Sequence, residues 1–140
     1  MSKFVSRILT PYAKNAESFL MNTQHFCERF AEVTIADDEI LVSFDVKSLY
    51  TLVPIEGAIV AIREILEPDA NFETHANISV ETLIEMVRIC LGTTSFQFRD
   101  DHFELTDGSA MGSPLSSAVA NIYMAKFEET AIQRADPKFS

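Results

Sequence analysis

Basic side chains are scarce in this sequence: 11 lysines and arginines stand against 21 aspartates and glutamates, a formal net charge of −10 over 140 residues. A free-standing nucleic-acid binder needs a basic surface to displace phosphate counterions, so this balance excludes a chain that grips a duplex by itself. Cysteine is nearly lacking too. Cys27 and Cys90 are far apart and in no Cys-x-x-Cys spacing, which predicts two reduced, buried thiols in a reducing compartment and no zinc site. The histidines, His25, His75 and His102, are equally dispersed, and His25 and Cys27, two apart, would face different sides of a helix. No apolar run reaches the roughly 18 residues of a membrane span, and the opening "MSKFVSRILTPYAKN" lacks the apolar centre of a signal peptide. The expectation is an intracellular protein, nuclear or cytoplasmic, away from membranes. Repeats, low-complexity tracts and Gly/Ser linkers are missing as well, and the length suits one domain.

What is present is a series of periodic segments. Residues 16–33 place Phe19, Phe26, Cys27 and Phe30 at helical spacing. From Ile40 to Val46 the pattern alternates, with Ile40, Val42, Phe44 and Val46 on one face and Leu41, Ser43 and Asp45 on the other, which predicts a strand with Asp45 at its C-terminal end. Pro54 suits the first turn of a helix carrying Ile55, Ala58, Ile59, Ile62, Ile65 and Leu66 on one stripe, closed by Pro68. A polar patch, "EPDANFETHAN", separates it from a second amphipathic helix with Ser79 as N-cap, Val80, Leu83, Ile84, Val87, Cys90 and Leu91 on one face, and Gly92 just past its end. "SFQFRDDHFEL" predicts two short strands around a turn at Asp100 and Asp101. Residues 115–133 are apolar or small on more than one side, so that helix is expected to be the most completely buried.

Two stretches carry chemistry: "LVSFDVKSLYTLVP", residues 41–54, and "TDGSAMGSPLSSAVANIYMAKFEE", residues 106–129. On the strand alone, two readings of Asp45 stand. It is a metal-binding carboxylate, because an acid ending an apolar strand is costly to bury without a cation or several hydrogen bonds, or it is an exposed strand-end residue capping the following turn. In the second stretch Gly108 and Gly112 permit backbone conformations and close approach that other residues resist, and Ser113 and Pro114 start a helix. A Walker-type phosphate loop is excluded, since no Gly-Lys-Ser/Thr follows. A plain helix-entry turn is the alternative.

In this order the two stretches resemble the first two palm motifs of reverse transcriptases, and "DDEILVSFDVKSLYTLVP" with "TDGSAMGSPLS…ANIYMAKFE" is similar to Penelope-like retroelement enzymes in particular, over about residues 20–130. That family usually has Gln where Leu105 stands and Gly or Pro near Ser117. The resemblance implies an α+β fold, a partial right-hand palm whose antiparallel sheet is covered by helices on one face, with residues 1–140 forming one partial reverse transcriptase domain. It implies RNA-templated DNA synthesis with two Mg²⁺ ions, Mn²⁺ being an alternative, and an RNA template, a DNA primer and deoxynucleotides as partners. Asp45 would be the catalytic carboxylate and a metal ligand, with the main-chain carbonyl of Val46 beside it. The amides from Lys47 through Ser48 and Leu49 to Tyr50 would face the triphosphate. Tyr50 falls at the steric-gate position; its alternative is a core aromatic. Gly108, Gly112, Ser113 and Pro114 would form the loop under the template and nascent pair.

The family's third motif, Tyr-x-Asp-Asp, does not occur in these residues. Asp37-Asp38 precedes Asp45, the wrong order, and Asp100-Asp101 lies in the hairpin turn; both pairs read as solvated turn residues. The expectation is a fragment, inactive alone and weak on nucleic acid, because one carboxylate does not assemble a two-metal site. Two other classes remain: a decayed or domesticated remnant acting as a protein-interaction module, for which the acidic charge speaks, and the palm of an RNA-dependent RNA polymerase, against which Tyr50 speaks.

Overall fold

The computed structural model describes residues 1–93, 95–104 and 112–134. The elements in chain order are α1 (Ser2–Lys14), α2 (Thr23–Phe30), α3 (Leu49–Leu52), α4 (Ile55–Leu66), α5 (Phe72–Ala76), α6 (Val80–Gly92), β1 (Ser95–Phe98), β2 (Asp101–Glu104) and α7 (Pro114–Arg134). The expected α+β palm is overturned: the described residues are mainly helical, and their strands are limited to one antiparallel pair, β1 with β2, registered Ser95 to Glu104 and Phe98 to Asp101.

Residues 40–46 form no strand. Alternation gives a chain two faces, but a strand exists only when its N–H and C=O groups meet a neighbouring strand, and β1 and β2 pair only with each other. The core is built by helices instead. α1, α4 and α6 pack with α7 or with one another, and Val5, Leu9, Ile62, Leu66, Phe72, Leu83, Val87, Leu115 and Val119 lie at its centre.

Local signals account for two of these helices. α4 buries Ala58, Ile59, Ile62 and Leu66, and α6 buries Leu83, Ile84, Val87 and Leu91, one stripe each at i, i+3, i+4 spacing. Ser79 caps α6, its hydroxyl accepting the Thr82 N–H at 3.2 Å. Gly92 is the last residue of α6 rather than the one beyond it. The hairpin turns at Arg99, which has φ 58°, and Asp100, one residue earlier than expected.

α1 has no counterpart among the sequence expectations. Val5, Leu9 and Ala13 recur every fourth residue and are buried, with Pro11 inside the helix on an exposed position. Phe72, within the patch read as polar, is buried in the short helix α5. α7 is buried along its first half, through Leu115, Ser116, Ala118, Val119, Ala120 and Ile122, and opens to solvent beyond.

The helix expected over residues 16–33 is reduced to α2, which buries no residue. Cys27 is accordingly exposed rather than buried, and Cys90 is half-buried, where burial raises its thiol pKa above the ordinary value.

Candidate functional site

The first motif is a loop that ends in a helical turn. Residues 39–48 are exposed, and Asp45 has no hydrogen bond or ion pair with a described residue. Its carboxylate is therefore hydrated, and the burial cost that made a cation attractive from sequence does not arise here. Ser48 takes a left-handed conformation, φ 56° and ψ 38°, which redirects the chain into α3. Its carbonyl accepts the Thr51 and Leu52 N–H groups at 3.1 and 3.2 Å and the Thr51 hydroxyl at 3.1 Å. Leu49 and Tyr50 are half-buried and pack against the core, and Val53 belongs to it. Tyr50 thus has a packing role whatever else it does.

Of the second motif, Gly108 and Leu105 lie outside the described residues, while Gly112, Ser113 and Pro114 are described. Gly112 has φ +89°, a conformation that costs a side-chain-bearing residue strain. The first turn of α7 is tied to α1: the Ser6 hydroxyl donates to the Pro114 carbonyl at 2.8 Å, and the Ser2 and Ser113 hydroxyls share a hydrogen bond at 3.1 Å. Sequence reading missed Ser2 and Ser6 altogether. The signal was the spacing itself, two serines four residues apart on the α1 face that carries Val5 and Leu9.

The two motifs meet through their helices, since α3 packs on α7. Among the described residues, no group of three or more His, Cys, Asp or Glu side chains is placed to share an ion.

Three of the ten described lysines and arginines pair with acids. Lys126 bridges Glu64 and Glu129 at 3.0 and 3.1 Å, Arg63 bridges Glu67 and Glu81, and Arg88 pairs with Glu56. The hydrogen bonds that these bases donate to the carboxylates raise the pKa of all three.

A groove of about 880 Å³ lies elsewhere, between the C-terminal ends of α1 and α4 and the middle of α7, and none of the candidate residues lines it. At its edge the Tyr12 hydroxyl donates to Asp69 at 2.6 Å. Burial, that hydrogen bond and the Asp69 charge push the Tyr12 pKa up to about 12. The same bond, joined by the Asn71 N–H at 3.0 Å, lowers that of Asp69.

Compared with protein-family models, with characterised proteins and with solved structures, the chain matches none.

Proposed function

We propose that this chain is a segment of a retroelement reverse transcriptase, closest to the Penelope-like enzymes, and that its parent activity is RNA-templated DNA synthesis. The observation that carries the reading is the ordered pair "FDVKSLYT" and "GSAMGSPLSS", supported by the packing of α3, in which the first ends, on α7, which starts within the second. In this reading Asp45 supplies one acidic ligand and the turn from Lys47 to Tyr50 meets the deoxynucleotide. The Gly112, Ser113 and Pro114 turn passes beneath the template. Among the described residues no group of three or more metal-ligating side chains forms, so the reading expects further acids from a Tyr-x-Asp-Asp motif in the sequence that follows.

The transcript downstream of the Ser140 codon is the first test, and a stop codon with no in-frame Tyr-x-Asp-Asp overturns the reading. The longer polypeptide is then assayed for DNA primer extension on RNA with Mg²⁺ and deoxynucleotides. Asp45→Asn should remove extension. Tyr50→Val should raise the ratio of kcat/KM for ribo- over deoxynucleotide by roughly ten to a thousandfold if its ring closes the sugar pocket. An unchanged ratio in a folded, active variant leaves Tyr50 as a packing residue only.

A second reading has its own observation. Of the sixteen exposed large apolar side chains among the described residues, ten fall within residues 20–46, the pattern of a surface kept for a partner. A remnant that survives as a protein-interaction module would use that surface.

A further inference from the structure

Residues 40–46 belong to no helix or strand, pair with no described residue, and are apolar except for Ser43 and Asp45. Ile40 is 84% exposed and Phe44 89%, and Leu41, Val42 and Val46 are exposed as well. No backbone group from Ile40 to Val46 makes a hydrogen bond with a described residue. Such a segment presents the unpaired row of donors and acceptors that templates strand addition. Of its charges, Asp37, Asp38 and Glu39 precede it, Asp45 lies within it and Lys47 follows it; the Glu39 carboxylate also accepts the Ala36 N–H at 2.7 Å, a bond the ladder has to share or release.

That polarity selects the occupant. We propose that this segment pairs antiparallel with the same segment of a second copy, in a two-fold ladder centred on Ser43. In this register Ser43 faces Ser43, Val42 faces Phe44, Leu41 faces Asp45, Ile40 faces Val46 and Glu39 faces Lys47. Each apolar contact and each Glu39–Lys47 ion pair occurs twice, as a two-fold axis requires. A parallel pairing in register would instead set Glu39 against Glu39 and Lys47 against Lys47, which is repulsive at both ends. The antiparallel ladder satisfies backbone groups that otherwise face water beside apolar side chains. The inference is argued from this segment alone and does not rest on the polymerase reading, which assigns Asp45 and Lys47 to metal and nucleotide.

A ladder this short lies at the low end of interface sizes, so the dimer is expected to be weak. Sedimentation equilibrium of the full chain in reductant, which keeps the exposed Cys27 from cross-linking, reads the association. Glu39→Lys and Lys47→Glu should each weaken it by roughly tenfold, because each puts like charges opposite one another at both ends. An equimolar mixture of the two variants, and the double variant, should restore it, since every end pair is then of opposite sign. As an orthogonal check, Ser43→Cys in a Cys27→Ser background should give an oxidised dimer under mild oxidation, which the Cys27→Ser chain does not. A chain that stays monomeric up to about 1 mM overturns the proposal. So does association that the charge variants leave unchanged, which would mean unregistered apolar contact.

Discussion

Asp69 illustrates how a residue outside the candidate site sets a measurable property. The Tyr12 hydroxyl and the Asn71 N–H both donate to it, and its pKa is held below the ordinary carboxylate value of 3.8. A depressed folded pKa gives stability that is present above the unfolded value and lost as pH falls through the folded one. Tyr12 works in the opposite sense. Its pKa is about 12 against an ordinary 10, so its contribution is complete below pH 10 and is lost as pH rises towards 12. Urea unfolding of Tyr12→Phe should therefore show a shallower loss of stability than the natural chain both below pH 4 and between pH 10 and 12. Equal pH profiles for the two would mean that the bond does not persist in solution. None of this was legible in the sequence, because residues 12 and 69 meet only when α1 lies beside the end of α4.

Among the elements, α4 and α6 were readable because everything that specifies them is local: a regular apolar stripe, Ser79 at an N-cap, and a break at Pro68. α1 was not read as a helix, and Pro11 is the reason it should not have been easy. Proline removes the N–H that would meet the Arg7 carbonyl four residues earlier and crowds that turn. The helix continues because Val5, Leu9 and Ala13 are buried against the core and because the Thr10 hydroxyl donates to the Ser6 carbonyl at 2.6 Å. Since Pro11 is exposed, Pro11→Ala removes no packing and returns the missing donor. The expected gain is about 1–3 kcal/mol, read as a higher urea midpoint at unchanged slope. A neutral or destabilising result would show that α1 accommodates Pro11 without the cost assigned to it.

For the molecule as a whole, the net charge of −10 leaves acids in clear excess over bases. Arg63, Arg88 and Lys126 are each engaged by glutamates, and the acids left over repel phosphate. Non-specific duplex binding rests on basic contacts and typically lies near 10⁻⁴ to 10⁻⁶ M where they exist. The chain should therefore bind an RNA–DNA hybrid no more tightly than about 10 µM at physiological salt, measured by fluorescence anisotropy. Sub-micromolar binding that weakens steeply with salt would reveal a basic surface that the fold assembles and the composition conceals.

The sequence by itself determined the acidity, the amphipathic helices α4 and α6, the hairpin and the turn into α7, since each depends on residues within a few positions of one another. It also set out the two motifs and their order. Only the tertiary structure decided that α1 is a core helix, that Ser2 and Ser6 hold the entry to α7, and that Asp45 is hydrated. The same alternation that reads as a buried strand leaves residues 40–46 exposed, because pleat and periodicity are properties of one segment while a ladder needs a second. That distinction turned an expected palm sheet into a helical core with an unpaired apolar segment at its side.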